Sequence, residues 1–236
     1  MAAVCSIAGP AIAGPPFLTD DPEPTDPRRW EIYAPLFEIE GKGSDYEGSL
    51  GAEFNYGAAP DVQVTVGVPF AYSHDHAGTH SGLGDLEFSV KYRFFPDEAA
   101  GVQIAAFPGI SLPTATNHRG GGHVTGLLPI WGQKDLGHWS IFGGGGYAIN
   151  PGEGNRNYWT GGIAITHEVT DAMLIGIEAD RQGDDQVGGR ASTSLGVGAI
   201  LQLPKPLRLL ASGGPTFSDA GGAAEFHGFV ALGLDF

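Results

Sequence analysis

Cysteine is all but missing from this chain. The single thiol, Cys5, has no partner in the sequence, so no intrachain disulfide staples the fold. Charge is sparse, and basic charge most of all. The 12 Lys and Arg stand against 27 Asp and Glu, a formal net charge of -15, which repels phosphate backbones and argues against a nucleic acid partner. No uninterrupted apolar run reaches the roughly 18 residues a membrane helix needs, and no helical period stands out. If this chain crosses a membrane, it crosses with strands.

What the chain does have is alternation. In GLGDLEFSVKYRFF, Gly82 to Phe95, the residues Leu86, Phe88, Val90, Tyr92 and Phe94 share one face, and Asp85, Glu87, Ser89, Lys91 and Arg93 share the other. Side chains alternate across a strand with period two, so one face meets an apolar medium while the other meets water or its own ion partners. The apolar face ends in aromatics, which is how a transmembrane barrel strand is built, apolar to lipid and polar to the lumen. The same arrangement recurs. Val62, Val64, Val66, Val68, Phe70 and Tyr72 oppose Gln63 and Thr65, and Tyr46, Leu50, Ala52, Phe54 and Tyr56 oppose Glu47, Ser49, Glu53 and Asn55. In Trp30 to Glu40, Tyr33, Phe37 and Ile39 fall on one side.

Further strands follow at 102–112, 124–133, 139–149, 158–167, 173–181, 192–203, 207–217 and 226–236. Short turns alternate with longer loops, among them Ser73 to Gly82, which holds His74, His76 and His80. The expectation is an all-β fold, a transmembrane antiparallel up-and-down β-barrel of about twelve strands over residues 30–236. An even strand count puts both termini on the periplasmic side, and closure leaves no strand edge in lipid. Four glycines, Gly143 to Gly146, stand mid-strand, where Gly144 and Gly146 on an inward face would leave room in a narrow lumen.

Ahead of the barrel, residues 1–13 end in Ala11-Ile12-Ala13 and read as a residual secretory signal with an A-x-A cleavage site. Residues 14–29, GPPFLTDDPEPTDPRR, hold too much Pro and Asp to pair in a sheet. They form a periplasmic segment or a lumen plug, in which Phe17 and Leu18 cover an apolar patch and Asp20 and Asp21 meet Lys91 or Arg93.

Several stretches together resemble one family. GPPFLTDDPEPTDPRRWEIY, GLGDLEFSVKYRFF, FPGISLPT, LPIWGQKDLGHWSIFGGGGYAINPGEGNRNYW, VTDAMLIGIE and the GGR before Ser192 are similar to the bacterial outer-membrane proteins grouped under the meta-pathway of phenol degradation, often called transporter-like. The resemblance implies an outer-membrane barrel, a channel or transporter for small, hydrophobic or aromatic molecules; no catalytic residues come with it. The final strand, ending in Phe236, looks like the signature that such barrels present to their insertion machinery.

The candidate lumen-lining residues are Glu47, Glu53, Asp85, Glu87, Lys91, Arg93, Glu178, Asp180 and Arg208. They fill the barrel with ion pairs that hold its shape, or they form a selectivity lining whose excess carboxylates favour cations and neutral solutes. His74, His76 and His80 are weak zinc candidates on a loop with no strand to orient them, and His118 and His123 are no better. No metal or other cofactor is expected. The partners expected are outer-membrane lipid, a small solute and the insertion machinery. The rival classes are a barrel enzyme acting on lipid, a barrel without a continuous pore, and a soluble periplasmic sandwich or lipid-binding barrel. For the enzyme, Ser73, His74 and Asp75 are sequence neighbours pointing to opposite faces, and Ser111, His167 and Ser194 belong to different strands.

Overall fold

The computed structural model describes residues 16–117 and 119–236, which places residues 1–15 and His118 outside the described part. Fourteen strand segments run through these residues: β1 (Trp30–Lys42), β2 (Asp45–Ala59), β3 (Val62–Asp75), β4 (Gly78–Leu83), β5 (Leu86–Asp97), β6 (Val102–Ala106), β7 (Gly109–Leu112), β8 (Thr125–Leu136), β9 (Trp139–Ile149), β10 (Tyr158–Thr170), β11 (Met173–Gln182), β12 (Ser192–Gln202), β13 (Leu207–Ser218) and β14 (Glu225–Asp235). All pair antiparallel with their neighbours, and β14 returns to β1 while β5 pairs with β3, so the sheet closes on itself. Segments β4 and β5 make one barrel strand broken at Gly84-Asp85, and β6 and β7 make another broken at Phe107-Pro108. Counted so, the described residues form a closed barrel of twelve strands.

Alternation decides which face looks where. Val64, Val68, Phe70, Phe88, Val90, Ile163, Ile177, Val197 and Val230 lie exposed on the outside, whereas Gln63, Thr65, Lys91, Thr166, Glu178 and Arg208 are buried inside. A soluble sandwich or a lipid-binding barrel would place these sets the other way round. Rings gather at the two rims, as membrane interfaces favour. Trp30 packs on Tyr56 and Trp139 on His167 at the end that carries the C-terminus, while Phe37, Tyr46, Tyr72 and His74, together with the Tyr147–Trp159 pair, mark the opposite end. Placing a charge in the apolar belt between these rims is expensive. Ile177→Arg, at mid-strand, is expected to cost about 2–4 kcal/mol of stability in urea titrations of the bilayer-embedded protein; a change under about 0.5 kcal/mol, the size of an ordinary surface substitution, would contradict the outward assignment.

Three local departures from the sequence-based expectation have identifiable causes. The register of β1 slips between Tyr33 and Leu36 against both neighbours, because three residues of β1 span two residues of each partner strand. That extra residue turns Tyr33 inward, where it is 1% exposed, and leaves Phe37 on the outside; the two do not share a face. The stretch Ser73 to Gly82 is no long loop but a hairpin, with His74 paired to Thr79 and Ser73 to His80. The third is the break at Gly84-Asp85, where the wall is completed by loop 113–124. Thr116 donates its backbone N–H to Leu83 O at 2.9 Å, and its Oγ1 accepts the Leu83 N–H, also at 2.9 Å.

Elsewhere the turns follow their residues. Gly43 and Gly137 take positive φ in the hairpins after β1 and β8, a region that a side chain disfavours. At the end carrying the C-terminus the links are short, 60–61, 98–101, 137–138, 171–172 and 203–206. At the other end, beside the tight turns 43–44 and 76–77, they lengthen to 113–124, 150–157, 183–191 and 219–224. The longer loops are tied together by ion pairs. Arg156 meets Asp184 at 3.0 Å, and Arg181 grips Asp219 of loop 219–224, whose carboxyl its hydrogen bonds hold below the ordinary carboxylate range.

Candidate functional site in the lumen

Proline-rich residues 16–29 form no strand beyond a single bridge from Pro27 to Gly57, and residues 16–25 lie against inward-facing side chains of the barrel. They run from the start of β1 across the lumen as a strap. Its root is fixed beside the barrel wall by Arg28 N–H donating to Gly57 O at 2.7 Å. The next residues meet a polar network on the inner faces of β1 to β3. Thr25 donates its N–H to Gln63 Oε1 at 2.7 Å and its hydroxyl to Glu31 Oε2 at 3.1 Å, and Gln63 Nε2 donates to Asn55 and Thr65. Buried polar atoms are costly unless paired, and here each of these side chains finds a partner.

In the middle of the strap the carboxylates of Asp20 and Asp21 lie 3.0 and 3.7 Å from Lys91 Nζ. Lys91 is 3% exposed; it also donates to Glu23 O at 3.3 Å and lies over the Phe107 ring at 4.8 Å. At the far wall Thr19 N–H donates to Glu178 Oε2 at 3.1 Å, Ser212 Oγ donates to Pro16 O, and Phe17 packs with Phe142 and Ala164. Burying one such ring contributes about 2 kcal/mol. The strap therefore touches both sides of the barrel.

Of the plug residues expected from sequence, Phe17 sits against an apolar wall and Asp20 and Asp21 face Lys91. Leu18 does not cover a patch: the chain bends through residues 16–19 and leaves it 53% exposed. Arg93 is not a partner of the strap aspartates. It is bound instead by Asp61 at 2.7 Å and Gln103 at 2.6 Å, groups nearer its own strand end.

The other lumen candidates differ in role. Glu53 and Asp180 face inward on β2 and β11, Glu53 accepting from Asn55 Nδ2 at 2.9 Å. Glu47 and Glu87 also face inward, and Glu47 lines a cavity of about 420 Å³ with Glu40 and Arg119. Asp85 is structural, since its two oxygens accept the backbone N–H groups of Ala115 and Gly121, both at 2.9 Å, and so bind loop 113–124 into the wall. Arg119 of that loop reaches Ser73 Oγ at 2.6 Å. Arg208 joins the seam, contacting Glu31, the Tyr33 hydroxyl at 2.9 Å and Asp235 at 3.4 Å.

His74 stacks on Tyr46 and bonds Thr79 Oγ1 at 2.9 Å. Among the described residues, no group of three or more His, Cys, Asp and Glu side chains is arranged to hold a metal ion. The serine and histidine candidates for hydrolysis are engaged separately, Ser194 with Thr216 at 2.8 Å and His167 with Trp139 at the rim that carries the C-terminus. Sequence-based expectation passes over Thr19, Thr25, Glu31, Asn55 and Gln63, which hold the strap. Inward parity is visible for Asn55 and Gln63, but nothing marks an uncharged inward residue as a contact.

A closed barrel with an apolar exterior, aromatic rims and a polar, strap-filled interior defines a bacterial outer-membrane β-barrel. The model of the family described as "Putative MetA-pathway of phenol degradation" matches residues 41–228, and the chain belongs to that family. Solved structures agree on the fold. An outer membrane channel from Pseudomonas putida F1 is similar at a TM-score of 0.70 and 14% identity, over 95% of this chain and 100% of that one. The porin NanC is similar at 0.58 and 9% identity over 84% and 98%, and the translocator domain of the autotransporter NalP from Neisseria meningitidis at 0.56 and 11% over 89% of each. No curated protein matches the sequence.

Proposed function

We propose that this barrel is a non-enzymatic outer-membrane channel for small hydrophobic or aromatic molecules, and that its N-terminal strap is the plug. The observation that carries the proposal is the strap itself, held across the lumen by Lys91 on one side and by the Phe17 seat on the other. A barrel that served only as a wall could be filled by side chains from its strands, as small barrels are. Here the filling is a separate segment that belongs to no strand of the barrel, so it can leave without breaking the sheet. The inward carboxylates Glu47, Glu53, Glu87, Glu178 and Asp180 outweigh the inward cations Lys91, Arg93 and Arg208, a balance that favours neutral or cationic solutes over anions.

Two measurements test this. Proteoliposomes should swell in phenols and other small neutral solutes and resist larger sugars; no swelling with any solute would overturn the channel. Deleting Gly14 to Thr25 should raise planar-bilayer conductance several-fold, and a conductance equal to that of the full chain would overturn the plug.

A further inference from the structure

The ring of Phe17 is housed more closely than a stopper needs. It is 7% exposed, with Phe142 at 6.2 Å between ring centroids and Ala164 beside it. Beneath it lie two glycines facing each other across β11 and β12, Gly176 and Gly198. A β-carbon at Gly176 would stand 2.6 Å from Phe17 Cζ, and one at Gly198 would stand 2.8 Å from Cε1. Both distances are well inside van der Waals contact. Any side chain on this floor excludes a ring, so the bare backbone here has the shape of one.

The adjoining inward row holds Glu178 opposite Gly196. A β-carbon at Gly196 would lie 2.7 Å from Glu178 Oε1, so this third glycine makes room for the carboxylate. Glu178 Oε2 accepts the Thr19 N–H at 3.1 Å. An aromatic ring and a hydrogen-bond donor, two residues apart on the strap, thus fill a flat apolar seat and satisfy the acceptor next to it.

We propose that this seat is a binding subsite for a small hydroxylated aromatic solute on its way through the barrel. The solute ring lies on Gly176 and Gly198 against Phe142, and its hydroxyl donates to Glu178. Phe17 and the Thr19 N–H occupy the same positions while the strap is in place, so strap and solute exclude each other. The physical basis is twofold: a ring-sized apolar cavity takes up a ring readily, and a carboxylate left without its donor gains by acquiring another. This inference rests on the channel function proposed above, but binding can be read without any flux.

The test uses the full-length protein in detergent, titrated with 4-fluorophenol and followed by fluorine NMR. Phe17→Ala empties the seat and is expected to bind the probe about tenfold or more tightly than the wild type, whose own ring fills it. Cyclohexanol, thicker than an aromatic ring, should compete poorly with the probe. In the variant lacking Gly14 to Thr25, phenol should compete about tenfold better than toluene, and adding Glu178→Leu should remove that preference. If Phe17→Ala dislodges the whole strap, the strapless variant still presents the seat, and Gly198→Leu within it should abolish binding. Equal affinity in the wild type, Phe17→Ala and strapless proteins, or equal competition by phenol and toluene, would overturn the subsite. A strapless protein that conducts but does not bind the probe overturns the subsite alone. One that binds but neither conducts nor swells vesicles overturns the channel alone.

Discussion

Lys91→Met is expected to free the strap and to turn a quiet barrel into one that opens frequently. The ammonium is 3% exposed and stands between two adjacent carboxylates, Asp20 at 3.0 Å and Asp21 at 3.7 Å. Methionine keeps most of the stem's volume but leaves both acids without this cation in a confined space. Removing one partner of a buried pair costs about 3–5 kcal/mol, and each 1.4 kcal/mol is about a tenfold change in an equilibrium. The docked population of the strap should therefore fall more than a hundredfold relative to the free one, seen as frequent large-conductance openings in planar bilayers. Neutralising both acids in the same background, with Asp20→Asn and Asp21→Asn, should restore part of the closure, because the repulsion between the two neighbouring carboxylates disappears. A conductance record indistinguishable from the wild type would mean that Lys91 does not hold the strap.

Arg208→Leu should weaken the barrel itself. The guanidinium is buried where the first and last strands meet, and it contacts Glu31 and Tyr33 of β1 and Asp235 of β14. Gly233, whose β-carbon would lie 2.7 Å from Arg208 Cγ, leaves the space that the arginine occupies. Leucine fills little of it and leaves the Glu31 carboxylate with the Thr25 and Tyr33 hydroxyls but no cation, at an expected cost of about 3 kcal/mol or more. The loss should appear as a lower temperature for the shift between folded and unfolded bands on gels, and as earlier urea unfolding in micelles. Because the strap also contacts Glu31 through Thr25, some opening of the lumen should accompany it. Unchanged unfolding, within about 0.5 kcal/mol, would assign the seam's stability to backbone pairing alone.

How much of this is legible in the sequence depends on the interaction. The lipid-facing rows are, because period two is a local property: Val64, Val66 and Val68 announce an outside without reference to any other strand. The attraction of Asp20 and Asp21 to an inward cation of β5 is legible too, but the sequence leaves Lys91 and Arg93 equal, and only the position of Asp61 beside Arg93 separates them. The slip at Tyr33 is not legible, for a bulge is fixed by pairing with two neighbours and leaves the hydrophobic pattern only slightly irregular. The hairpin around His74 reads as a loop because its residues are polar; they stand on strands that extend beyond the apolar belt, where polarity no longer distinguishes the two. Gly176 and Gly198 carry the least signal. A glycine says only that space is needed, and what fills that space, Phe17, lies far earlier in the chain.

The attachment of the strap has a quantitative consequence. Among the described residues the strap runs into β1 through Arg28 and Arg29, so an undocked strap stays next to its own site. A short flexible leash keeps its end at an effective concentration on the order of millimolar. A diffusing competitor of equal intrinsic affinity must reach a comparable level before it wins the site half of the time. The covalent link therefore sets a threshold, and scarce solutes would meet a closed door while abundant ones would hold it open for themselves.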